Sequence, residues 1–191
     1  MKFIPTKFDG VYFIDLQRHE DNRGFLARTF DTKEFYHHGI DFTIKQSYMT
    51  KTEKKGTLRG FHYQISPKEE AKLIRCTRGS IFEAIIDLRP KSKTYKKWAG
   101  FSVHANEYKM LYIPPLFAHA ILSLEDDTEV LNLTSALYSQ EYEHGIRYDD
   151  PLFNIDWPNP VTTVSQKDKS WENFQLKEHL RGGRLKRQRK P

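Results

Sequence analysis

The sequence predicts an all-β jelly roll, and three observations carry that prediction. Short runs of β-branched and aromatic residues alternate with turn chemistry from about residue 42 to 150. No long stretch shows the 3.6-residue apolar period of an amphipathic helix. The 191 residues, 38% hydrophobic and 14% aromatic, suffice for one core and are too few for two. Without an internal repeat or linker, residues 1–180 read as a single domain. Residues 181–191, with Arg181, Arg184, Lys186, Arg187, Arg189, Lys190 and no acid, read as a basic, disordered tail.

Val11–Leu16 has strand composition, and Asp21-Asn22-Arg23-Gly24 is a turn leading into Phe25–Phe30, which together suggest a hairpin. Asp31 can cap a short helix through Phe35 and Tyr36, ended by Gly39. Eight strands follow: 42–49, 57–65, 72–77, 80–88, 97–103, 108–113, 120–124 and 128–133. Gly79, Pro90, Asn106, Pro114-Pro115 and Asp126-Asp127 punctuate them. Near the end, Ser165 caps a second short helix with Asp168 close to its positive end.

Charge narrows the partners. Six of the 31 basic residues lie in the tail, so the body carries 25 basic against 25 acidic residues and lacks the footprint of a nucleic-acid domain. No apolar run has membrane-span length and Met1–Pro5 does not open a secretory signal, so no membrane association and a cytoplasmic location are expected. The single cysteine, Cys76, in an apolar strand pattern, is expected to be a buried structural thiol.

Four stretches carry groups able to do chemistry. Gly56–Gln64 holds Arg59 and His62, which strict alternation assigns to opposite faces; a bulge at Gly60 would bring both to one cavity. A satisfied strand histidine is the plainer alternative. Lys72 interrupts an apolar strand and either snorkels to solvent or enters a polar cavity. Ile113-Pro114-Pro115-Leu116-Phe117-Ala118-His119 delivers His119 to a strand start. Tyr148-Asp149-Asp150-Pro151, followed by Ile155-Asp156-Trp157-Pro158, is either a surface turn or a constrained loop that presents a carboxylate.

Together with Phe82 through Arg89 and the Asp21–Phe25 turn, these stretches resemble, in order over roughly residues 8–170, the dTDP-4-dehydrorhamnose 3,5-epimerase family, the RmlC-like cupins. The resemblance implies a cupin-type double-stranded β-helix with a few short peripheral helices, working as a homodimer without metal or other cofactor. The implied substrate is a nucleotide-linked 4-keto-6-deoxy sugar inverted beside its C4 ketone. It implies His62 as base, Asp150 as its hydrogen-bonding carboxylate and Arg23 reaching the partner subunit's site. The chemistry of the residues is compatible: an enolate needs stabilisation as it forms, from Lys72 and His119, and guanidinium groups at Arg59 and Arg23 suit a diphosphate. Gln46 is a candidate for hydrogen bonding to the sugar or base, and Tyr138 for stacking under the base.

The sequence also departs from that family. Its tyrosine acid falls at Asn132, which has no ionisable proton; the accompanying aspartate is Glu83; a glycine before the histidine is Leu116; an asparagine near the nucleotide is Tyr48. Inversion at one carbon in place of two fits this change, with Tyr138, Tyr112 or a held water as donor. Proton return on the original face, giving a keto-isomerase, and a non-catalytic sugar-nucleotide-binding cupin are the alternatives. A metal-dependent cupin is the remaining one, opposed by Gln64 and Lys72 standing where such proteins place ligands.

Overall fold

The computed structural model describes residues 1–175; the tail at 181–191 lies outside the described residues. β1 (Lys2–Pro5) and β2 (Tyr12–Asp15) lead into a separate hairpin of β3 (Arg18–Asp21) and β4 (Gly24–Ala27). The expected hairpin is therefore shifted: β4 pairs with β3, while β2 lies in a sheet. α1 (Thr32–His37) begins at Asp31, whose carboxylate accepts from the N–H groups of Lys33 and Glu34, and Gly39 follows at φ +72°.

The eight expected strands are present as β5 (Gln46–Thr52), β6 (Thr57–Gln64), β7 (Lys72–Arg78), β8 (Ser80–Asp87), β9 (Trp98–His104), β10 (Lys109–Ile113), β11 (Phe117–Ser123) and β12 (Thr128–Thr134). Four short strands escape the sequence pattern: β1, β3, β13 (Glu143–Gly145) and β14 (Thr163–Val164). α2 (Gln166–Lys169) follows, with Ser165 accepting from the Asp168 N–H as expected. One sheet runs β1-β2-β10-β7-β12-β5 and the other β13-β6-β11-β8-β9, with β14 parallel to β6.

Between the sheets, the inward row of each strand changes from apolar to polar along its length. Ile74 and Cys76 on β7, Val130 on β12, Ile81 and Ile85 on β8, and Ile121 on β11 form one buried cluster. Two residues away on the same faces stand Lys72, Asn132, Glu83 and His119. Burial holds the Cys76 thiol up at about 11, so it is a packed hydrophobe and no nucleophile at neutral pH. The outer face of the second sheet is covered separately, with Phe61, Tyr63 and Ile86 packed against Ile146 and Phe153.

Candidate active site

β6 departs from regular alternation at Gly60. His62 pairs with His119, yet Gly60 pairs with Ala120 and Arg59 with Ile121, so two residues on β6 match one step on β11. This bulge puts Arg59 and His62 on the same, inward side. Gly60 is required: at φ +129° an added Cβ would sit 2.6 Å from the Ala120 Cα.

His62 Nε2 lies 2.7 Å from Asp168 Oδ1, and the Gly60 N–H donates to Asp168 Oδ2 at 3.4 Å. Burial pushes the Asp168 carboxyl up, but the bonds from His62, Gly60 and the Ser165 side chain outweigh it and hold the group below the ordinary aspartate range. An ionised Asp168 accepts, which puts the imidazole proton on Nε2 and leaves Nδ1 with a free lone pair.

This corrects the expected partner. Asp150 is buried but does not meet His62: its carboxylate accepts from the Leu152 N–H at 2.8 Å and the Phe174 N–H at 2.6 Å. It closes its own turn and ties down the chain beyond α2. The sequence showed Asp168 as a helix-capping neighbour; nothing in local pattern marked its contact with a histidine 106 residues away.

Lys72 enters the polar cavity instead of snorkelling, only 5% exposed, with its ammonium paired to Glu70, an acid the sequence reading did not single out. His119 Nδ1 lies 2.7 Å from Glu83 Oε1, and both residues are buried. Desolvation drives Glu83 well up and His119 well down, toward neutral forms, with Lys72 pulling Glu83 the other way and adding to the fall at His119. Asn132 is 1% exposed, opposite Tyr48 on β5, and its Oδ1 has no hydrogen-bond partner among the described residues.

Two adjoining cavities meet at Tyr48, His62 and His119. The smaller, about 290 Å³, is walled by Gln46, Lys72, Glu70 and Tyr138; the larger, about 460 Å³, by Arg59, Asn132 and Asp168. Together they have the size of a small-molecule site. Arg59 donates to Thr52 Oγ1 and to the Lys51 carbonyl, each at 3.2 Å. Gln46 Oε1 accepts from the Tyr138 N–H at 2.9 Å, and the Tyr138 hydroxyl donates to Glu143 Oε2 at 2.8 Å at the open rim. A further cavity, about 690 Å³, lies between Tyr63, Glu143, His144 and residues 170–175 and contains none of His62, Lys72, His119, Arg59 or Asp168.

Arg23, like Asp150, is an expected site residue that lies apart from this cluster. It sits at the β3–β4 turn, its side chain 85% exposed and paired with Asp21 at 2.6 Å. Among the described residues there is no group of three or more His, Cys, Asp or Glu side chains arranged to hold a metal ion, and no helix long and apolar enough to cross a membrane.

A double-stranded β-helix whose titratable groups converge on one cavity is the architecture of a cupin. The family model described as dTDP-4-dehydrorhamnose 3,5-epimerase matches residues 5–176, and the chain belongs to that family. The enzyme of this name from Methanothermobacter thermautotrophicus is 36% identical over 174 residues, covering 90% of this chain and 93% of its own. The crystal structure of the Elizabethkingia anophelis enzyme superposes with a TM-score of 0.88 at 29% identity, over 91% of this chain and 96% of its own. ChmJ from Streptomyces bikiniensis, described as a 3'-monoepimerase, superposes with a TM-score of 0.81 at 29% identity, over 88% and 86%. The protein is an isomerase-class enzyme of the epimerase type.

Proposed function

We propose that the protein inverts a single carbon, C3 or C5, of a nucleotide-linked 4-keto-6-deoxy sugar, with His62 as the base. The observation that carries this is the His62–Asp168 pair opening onto a cavity that also contains Lys72. A hydrogen on carbon beside a ketone is too weakly acidic for imidazole unless the developing enolate oxygen is stabilised. Nδ1 of His62 takes the proton, Asp168 stabilises the imidazolium, and the Lys72 ammonium shares the charge arriving at the C4 oxygen. His119, held by Glu83, adds a neutral donor through Nε2. Arg59 at the larger cavity suits the diphosphate, and Gln46 and Tyr138 at the rim suit the sugar and base.

Inversion at one carbon is supported by Asn132, an amide without a transferable proton on the wall opposite His62, and by the likeness to ChmJ. The active form we propose is a homodimer. Among the described residues the β3–β4 hairpin pairs with no other strand, and Phe25 and Leu26 on it are 42% and 69% exposed. Covering them with a second copy would bring Arg23 to the neighbouring site.

Incubation with a dTDP-linked 4-keto-6-deoxyhexose in deuterated water tests the reading. Deuterium should enter at one ring carbon beside the ketone, and His62→Ala should stop its entry. No incorporation by the wild-type protein would refute the enzyme assignment.

A further inference from the structure

Inversion leaves one proton without a source. His62 and His119 both project from the second sheet, so a base there strips the sugar from one side and the replacement proton must come from the opposite wall. That wall is the first sheet. Its inward residues around the cavities comprise Thr50 and two cross-strand rows over β7, β12 and β5: Ile74, Asn132 and Tyr48 in one, Lys72, Thr134 and Gln46 in the other. Only Tyr48 and Lys72 in these rows carry an ionisable proton. Lys72 is held by Glu70 and is needed as a cation at the ketone oxygen.

We propose that Tyr48 is the acid that protonates the enolate carbon on the face turned away from His62, an assignment that rests on the epimerase reading above. Tyr48 lines both cavities together with His62, and its hydroxyl makes no hydrogen bond to another described residue, which leaves it available to a ligand. The other phenols nearby are committed. The Tyr138 hydroxyl bonds Glu143 at the rim, and the Tyr112 ring packs outward against Phe35 and Phe42.

The neighbour of Tyr48 makes the position workable. Directly opposed residues of an antiparallel pair stand about 5 Å apart, and at position 132 the side chain is a short amide. A phenol rooted at 48 can lean over that amide into the space a longer residue at 132 would fill. Surrounding protein holds the Tyr48 hydroxyl above the ordinary phenol range, keeping it protonated until it is used, while the Lys72 cation pulls the other way and so favours the phenolate left behind.

The step balances. The C–H bond breaks and its proton passes to His62 Nδ1, its electron pair entering the enolate. The carbon then takes the Tyr48 hydroxyl proton as the C4–O double bond re-forms. Imidazolium and phenolate return to their starting states by losing a proton to water and gaining one from it.

The test reads two signals at once by proton NMR, deuterium entry and inverted configuration, from wild type and Tyr48→Phe acting on a dTDP-linked 4-keto-6-deoxyhexose in deuterated water. In Tyr48→Phe, inversion should fall by at least about a hundredfold, the lower end for loss of a general acid. Deuterium should still enter the uninverted sugar, because His62 can return a solvent-derived deuteron to the face it deprotonated. Inversion by Tyr48→Phe at the wild-type rate, or an equal loss of exchange and inversion, overturns the assignment. Wild-type exchange without inversion overturns it while leaving His62 as a base; wild type that takes up no deuterium removes the epimerase reading and Tyr48 with it.

Discussion

Replacing Asp168 with asparagine alters one atom and should disable the base. The Gly60 N–H points at Oδ2, so the new amide presents its oxygen there and turns its NH₂ toward His62 Nε2. An NH₂ at 2.7 Å from Nε2 needs an acceptor, which forces the ring proton onto Nδ1, the nitrogen proposed to take the substrate proton. Loss of the negative charge also removes the stabilisation of the imidazolium. Converting a carboxylate behind a catalytic imidazole to an amide costs about 10⁴-fold in turnover, equivalent to about 5 kcal/mol of barrier. The assay is the initial rate of deuterium incorporation, with circular dichroism to verify folding. Asp150→Asn is the control: it weakens bonds to two backbone N–H groups, costing on the order of 1–3 kcal/mol of stability, and leaves the exchange rate of the folded protein close to wild type. A folded Asp168→Asn protein within tenfold of the wild-type rate, or an equally disabled Asp150→Asn, would refute the dyad.

Two further outcomes are expected from the polar interior and the bulge. Glu83 is raised well above its unfolded value near 4.5, so the folded state keeps a proton that the unfolded chain releases, and its share of stability is lost as pH rises from that value toward the folded one. Glu83→Gln mimics the protonated acid and keeps a donor for His119; it should gain on wild type by up to about 1.4 kcal/mol per pH unit in that window, measured by urea unfolding at several pH values, whereas a constant difference would contradict a neutral Glu83. Gly60→Ala forces a side chain onto the Ala120 backbone at φ +129°, and should cost more than about 2 kcal/mol in urea unfolding; a smaller loss would mean that β6 can abandon the bulge.

Much of the framework was legible because each strand announces itself locally. Runs such as Ser80–Asp87 and Thr128–Thr134 carry their own alternation, and Asp31 and Ser165 mark their helices by a side chain two or three residues from the N–H groups it accepts from. β13 and β14, three and two residues long, carry no such signal; they exist because β6 offers each a partner. The polar residues of the cavity were legible for a related reason. A lysine in the place of an apolar inward residue, as at Lys72, contradicts the burial pattern of its strand, and burying the charge demands a partner.

Which groups meet is a different kind of information. The partner of Lys72 lies two residues away and the partner of His119 lies 36 away on an adjacent strand, both within reach of register arguments once the sheet is known. The partner of His62 belongs to neither category. Asp150 and Asp168 both lie in the chain that follows the last long strand, both near turn or capping residues, and their sequence surroundings distinguish only how each ties its own backbone. What separates them is β14: pairing Thr163 with Thr57 and Val164 with Leu58 lays the chain parallel to β6 immediately before α2, which delivers Asp168 to the bulge at Gly60. A two-residue strand thus selects the carboxylate that meets His62. The same dependence on pairing brings Tyr48 to the cavity, since the β5–β12 register sets that phenol beside Asn132 and in the same cavity lining as His62.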